Sequence, residues 1–430
     1  MSKGPDGPAG HAGAGPGTRL VARRAGSSWL VHPAGALDQR SWMYAAGLAH
    51  DPEHTLVVVD VPQDASPGFL HDVVRALHDV VRALPSGKGG LRLVFGRTPP
   101  GGADRAGQWL ATRTGRVVVT ALGRPRPTVE GALFIEAGQG PGWTRYDPAG
   151  GVSGEGRRFP RPEWEPHLRA EAWPVSRRTM AEPVPAGLWL RPSRVTPLFP
   201  RHRALLTARL SSRPDAVTVV VGAPAAEAVP LVDVTRLWWT LPEHLRTVAR
   251  FARFGPVALP AGMSLGAALA EKTGAAVRTY HGLPVGPGSR GDTAGTVATV
   301  GPDGSPGRMV MARESVQFPP LPTGEHREPL VTDHHWPLRG RPLVRPGVYR
   351  YGPDAVVEVM PGGLWVRGRR ERDRAASPST PVDERHELVR YDSGDARLAG
   401  ELRRIAGELA HRASAEYGVP VVVGGWTPAG

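Results

Sequence analysis

Leu56-Val57-Val58-Val59-Asp60-Val61-Pro62 and Thr218-Val219-Val220-Val221-Gly222-Ala223-Pro224 are the two stretches on which the reading of this chain turns. Each is a β-branched run halted at a proline, the pattern of a strand buried on both faces. Phe95-Gly96 returns as Phe254-Gly255, Thr114-Gly115 as Thr273-Gly274 and Phe159-Pro160 as Phe318-Pro319. The offsets are 162 for the first pair and 159 for the other three, so the matches are collinear over more than a hundred residues. Collinearity of that kind marks an internal repeat.

Outward from those strands, the first copy reads as an amphipathic stretch near Arg40–His50, a strand at Thr55–Val61 and a helix from about Gly68 to Leu84. A strand Leu91–Phe95, a helix near Asp104–Thr114, a strand Val117–Ala121 and a hairpin around Leu133–Glu136 and Trp143–Tyr146 follow. The second copy repeats this with helices near Arg201–Leu210, Val234–Phe251 and Ser264–Lys272 and strands at Val217–Val221, Pro256–Leu259 and Ala276–Tyr280. Short apolar runs alternating with helical periods predict an α/β fold, with two tandem repeats of a mostly parallel βαβ unit and a smaller α+β C-terminal segment. The domains fall at 1–17 (a disordered tail), 18–166, 172–321 and 323–426. In the last segment, Val348–Val366 reads as a β-meander and Ala396–Tyr417 as a helix that leads into the strand Val419–Val423, so it is a candidate partial third repeat. Within the first copy His71–Leu77 recurs as His78–Leu84, which places Val73, Val74, Leu77, Val80, Val81 and Leu84 on one packing stripe.

Composition narrows the chemistry. The 430 residues are 40% hydrophobic and 22% charged, ordinary for a chain with real cores, and they include no cysteine. Disulfides, cysteine-ligated zinc and cysteine nucleophiles are thereby excluded. The net charge of +13 divides as +5 over 1–170, +6 over 171–330 and +2 over 331–430. A charge so spread is a poor footprint for a polyanion, and lysine occurs only at Lys3, Lys88 and Lys272. The N-terminus is rich in glycine and proline and has no apolar run of the secretory kind. Ala216–Val232 is interrupted by Gly222, Pro224, Glu227 and Pro230 and is too short to span a bilayer. The expectation is a cytoplasmic protein with no membrane partner.

Gly262-Met263-Ser264-Leu265-Gly266 fits G-x-S-x-G between a strand and a helix, the setting of a nucleophile elbow. A serine hydrolase built on Ser264 would take its acid from Asp292 or Asp303 and its base from His326, His334 or His335. Ser264 equally reads as a helix N-cap. Gly286-Pro287-Gly288-Ser289-Arg290-Gly291 has the spacing of a phosphate loop, but the strand-like Thr293–Val300 follows where a helix N-terminus is needed, so no cofactor is implied. Asp333-His334-His335 has metal-ligand chemistry without metal-ligand spacing, and no metal site is assigned. Arg191, Arg194, Arg201, Arg203 and Arg209 form a basic run with no acid between Glu182 and Asp215, a candidate contact for a polyanion or an acidic protein. Trp238-Trp239 lies in a helix of the second copy, and tryptophan serves both as packing and as an interface anchor.

Val57–Val59, Leu84-Pro85, Gly140-Pro141-Gly142-Trp143 and Arg158–Trp164 together resemble the repeated α/β modules of large, poorly characterised actinobacterial proteins, some of which accompany secretion or toxin systems. The resemblance attaches no catalytic residue to the pattern. The reading it leaves is a non-catalytic scaffold or accessory protein that binds another protein, with a serine hydrolase using Ser264 and a non-specific nucleic-acid binder as alternatives.

Overall fold

In the computed structural model, Val57–Val59 lie within a strand whose two faces are both covered. The structure describes residues 19–60, 72–73, 75–77, 89–96, 102–286, 296–335, 338, 340–369, 382–394 and 396–426. The chain divides into two units, Met1–Arg161 and Pro162–Gly430, so the second copy and the C-terminal segment belong together.

The first unit holds a seven-stranded sheet whose spatial order is that of the chain: β1 (Leu20–Ala25), β2 (Ser28–Pro33), β3 (His54–Val59), β4 (Gly90–Phe95), β5 (Val118–Leu122), β6 (Gly142–Tyr146) and β7 (Val152–Gly156). β1 and β2 form an antiparallel hairpin, β2 to β5 run parallel, and β6 and β7 return antiparallel. Side chains alternate between faces along each strand. Val57, Val59, Leu91 and Leu93 pack under Leu110 and Ala111 of α2 (Gly102–Thr114), whereas Leu56, Val58 and Val94 pack with Ala45 of α1 (Gln39–Ala46). Burial on both faces is why these strands read as unbroken apolar runs. Val73, Ala76 and Leu77 are helical and join the α2 side of the core; most of the duplicated heptad lies outside the described residues.

The second unit repeats this succession of pairing senses in an eight-stranded sheet. Its strands are β8 (Trp173–Pro174), β9 (Thr179–Val184), β10 (Gly187–Pro192), β11 (Val217–Val221), β12 (Ala249–Arg253), β13 (Val277–Tyr280), β14 (Ala312–Gln317) and β15 (Leu330–His334). β9 and β10 form the hairpin, β10 to β13 run parallel, and β14 and β15 are antiparallel. The helices are α3 (Phe199–Arg209) on one face and α4 (Leu231–Thr240), α5 (Glu243–Val248) and α6 (Leu265–Thr273) on the other. A six-stranded sheet follows: β16 (Leu343–Arg345), β17 (Val348–Arg350), β18 (Ala355–Met360), β19 (Gly363–Gly368), β20 (Glu387–Asp392) and β21 (Val421–Trp426), with α7 (Ala399–Tyr417) packed on it. The segment that leads into β14 meets the six-stranded sheet at Glu387, fully buried, whose Oε1 accepts the Met311 N–H at 2.6 Å and faces Arg308 Nη1 at 3.0 Å.

The expectation of mostly parallel βαβ units is overturned. The protein is strand-rich, its large sheets are mixed, and among the described residues antiparallel pairings outnumber parallel ones. The physical reason is that each parallel run is preceded by a hairpin whose two-residue turn, such as Pro185-Ala186, leaves little punctuation in the sequence, and that in the two largest sheets antiparallel strands follow the run. The helix expected over Val234–Phe251 is instead α4, α5 and the central strand β12, and Pro256–Leu259 contributes only the short strand Val257–Ala258 outside the main sheet.

One packing detail recurs. A Cβ added at Gly107 of α2 would lie 2.5 Å from the Tyr146 ring and 3.1 Å from Thr120 Cγ2; at Gly266 of α6 it would meet Gln317 Cγ at 2.5 Å and Thr279 Cγ2 at 2.8 Å. Each helix therefore rests on its sheet through a glycine over a buried threonine.

Candidate functional site

Ser264 caps α6. Its Oγ accepts the Ala267 N–H at 3.1 Å, and its φ of −76° and ψ of 160° are ordinary extended values, unlike the strained turn of a nucleophile elbow. The proposed partners are engaged elsewhere. His334 Nε2 meets Tyr349 Oη at 2.7 Å and Nδ1 meets the His335 carbonyl at 2.9 Å. His326 Nε2 sits 3.7 Å from Glu271, His335 stacks on Tyr417, and Asp303 takes Ser305 and Arg201. Asp292 lies outside the described residues, as do residues 287–291 of the glycine-rich loop. Asp333 accepts Arg313 Nη2 at 2.6 Å, and among the described residues no group of three or more potential ligands could hold a metal.

The basic run is mostly neutralised within the fold. Arg194 reaches Glu227 at 3.5 Å and Arg201 reaches Asp303 at 3.0 Å. Arg191 donates through Nε to Glu182 at 2.8 Å, and Arg203 holds the same carboxylate through Nε and, at 3.1 Å, Nη2. Burial pushes the Glu182 carboxyl up, but the two guanidinium groups outweigh it and hold its pKa below the usual range. Arg209 is exposed. The structure thus divides the five arginines, with Arg191 and Arg203 in a clamp on buried Glu182, Arg194 and Arg201 in separate surface pairs, and Arg209 exposed.

That clamp is built twice. Glu358 accepts Arg367 Nε at 3.2 Å and Nη2 at 3.1 Å and also Arg345 Nη2 at 3.0 Å. Arg191 lies 5.6 Å above the Trp189 ring and Arg367 5.3 Å above Trp365. Each Nη1 donates to the next residue's carbonyl, Pro192 at 3.1 Å and Gly368 at 3.3 Å. The registers coincide, Glu182 opposite Trp189 and Glu358 opposite Trp365. The β1–β2 hairpin keeps the place but not the charge: His32 Nδ1 bonds the Pro33 carbonyl at 2.8 Å. The missed signal was Pro185-Ala186-Gly187-Leu188-Trp189-Leu190-Arg191 against Pro361-Gly362-Gly363-Leu364-Trp365-Val366-Arg367, at an offset of 176 instead of 159.

A different surface is built for contact. On α4, Val232, Arg236 and Trp239 fall at i, i+4 and i+7, one stripe of the helix. The opposite face, with Val234, Leu237 and Trp238, is buried in the core. Val232 remains 60% and Trp239 52% exposed. Arg246 of α5 stacks 4.7 Å from the Trp239 ring and donates to the Trp239 carbonyl at 3.1 Å, while Arg236 is held by Asp233 at 2.7 Å. The result is a half-exposed indole with the Arg246 guanidinium stacked on it and Arg236 one turn away on the same stripe. No described helix is long and apolar enough to cross a membrane. Comparison with protein-family models, with curated proteins and with solved structures finds no match for the chain.

Proposed function

We propose that the chain is a non-catalytic scaffold or accessory protein of the cytoplasm that binds another protein through the Val232–Arg236–Trp239–Arg246 surface. The observation that carries the reading is the exposed Trp239 held under Arg246. Tryptophan and arginine supply most interface hot spots, and a ring already held by a cation loses little side-chain freedom on binding. The partner would present an apolar side chain to the indole and acidic groups to Arg236 and Arg246.

The test is a photo-crosslinking amino acid placed at Val232 in cells that make the protein. The expected result is one discrete adduct, absent when the same group stands at exposed Arg124 and lost on Trp239→Ala. Equal adducts from both positions would remove the reading. Stoichiometric fluorophosphonate labelling abolished by Ser264→Ala would replace it with the hydrolase.

A further inference from the structure

The six-stranded sheet carries the beginning of the motif seen whole in the other two. The hairpins β1–β2, β9–β10 and β18–β19 share register, and each is followed by a parallel strand in the same alignment: Trp29 pairs with Val57, Leu188 with Val219 and Leu364 with Val389. The next strand is also parallel and aligned: Val57 pairs with Leu93, Val219 with Phe251 and Val389 with Val423. Leu93, Phe251 and Val423 therefore occupy one equivalent place. In the first two sheets a further parallel strand then covers that place, with Thr120 opposite Leu93 and Thr279 opposite Phe251. Among the described residues, nothing pairs with the outer edge of β21.

Burial records the difference. Leu93 and Phe251 are both 0% exposed, whereas Val423 is 39% and its neighbour Val422 47% exposed. The backbone records it too. Pro420 and Trp426 turn their carbonyls inward, accepting Glu387 and Ser393 N–H groups of the β20 side. With the two-residue period of a strand, the N–H and C=O groups of Val421, Val423 and Gly425 face outward. In β4 the place of Val421 is held by Leu91, whose N–H donates to Val117 of the added segment at 2.8 Å. The outer edge also lacks the charges and prolines that natural edges use against pairing, since Val421–Trp426 is Val-Val-Val-Gly-Gly-Trp.

We infer that the outer edge of β21 is a strand-accepting site that takes an extended, β-branched segment of a partner protein in parallel, the kind of strand that β5 and β13 supply at the equivalent edges. Main-chain bonds from Val421, Val423 and Gly425 would give the affinity, and apolar side chains covering Val423 the selectivity. This site is separate from the α4 surface, and the inference does not depend on it.

The probe is a labelled synthetic peptide with the sequence of residues 115–123, Gly-Arg-Val-Val-Val-Thr-Ala-Leu-Gly, titrated against the full chain by fluorescence anisotropy. Saturable binding is expected, weakened about tenfold or more by Val423→Pro, which removes an outward N–H and no bond to β20. Unchanged thermal unfolding would show that the variant folds; Val423→Lys serves as a second, milder block. Because the chain has no cysteine, Val421→Cys can be trapped as a disulfide. A peptide with cysteine in place of Val118 should form it, and one with cysteine in place of Leu122 should not; the reverse would refute parallel addition. Absence of saturable binding, or binding indifferent to both Val423 variants, overturns the proposal. So does a dimer of the free chain that Val423→Pro dissociates, which would make a second copy the occupant.

Discussion

Glu182 shows why removing one charge differs from removing a pair. Glu182→Ala would leave Arg191 buried against Trp189 and Phe199 without its carboxylate, and the expected loss is about 3–5 kcal/mol. Glu358→Ala should behave alike, and Glu→Gln at either position should cost less because an acceptor remains. Urea unfolding measures both, and losses below about 1 kcal/mol would show that the clamps contribute little. Acid gives a second handle. Burial holds His281 down at about 4 and lowers His202, which is fully buried, in the same direction. Between the usual histidine range and those lowered values the unfolded chain binds more protons than the folded one, so stability present above that range is lost as pH falls. A drop of about 1–3 kcal/mol between pH 7 and pH 4.5 is expected, with His281→Gln flattening part of it. Glu182, held low by Arg203 and Arg191, and Asp51, held low by the neighbouring His54 and by Arg92, both in spite of burial, keep their stabilising charge until more acidic pH. A flat profile down to pH 4.5 would contradict this assignment.

At the scale of elements, the two helix glycines make a prediction that propensity alone would reverse. Alanine is the better helix former, yet Gly107→Ala and Gly266→Ala should each destabilise by roughly 1–3 kcal/mol because the new methyl meets Tyr146 or Gln317 and the threonine beneath. Calorimetry on the two variants checks it, and a gain in melting temperature would mean the helices can lift off. Glycine over threonine was not legible in the sequence, since nothing before folding brings Gly266 to Thr279. What was legible was β3 and β11, because burial on both faces writes itself as Val-Val-Val. The hairpin β1–β2 was not, because its outer residues include Arg23 and Arg24 and its turn is only Gly26-Ser27. Nor were the candidate surfaces: Trp238 and Trp239 are adjacent in sequence, and only the helix rotation separates the buried ring from the exposed one. The glutamate clamps also fix register. A hairpin slipped by one residue would turn Arg191 to the opposite face from Glu182 and strand both charges in apolar surroundings.

For the molecule as a whole, each unit has its own cores, which predicts two calorimetric transitions, one lowered by Gly107→Ala and the other by Gly266→Ala. A single transition shifted equally by both would show that the units unfold as one. The order of strands in the large sheets carries one more consequence. Because it follows the chain, each of these strands hydrogen-bonds to the member of the same sheet that was synthesised before it. A nascent polypeptide can therefore lay down each sheet from one side, every new strand finding its neighbour already in place, with no early segment kept waiting for a distant one.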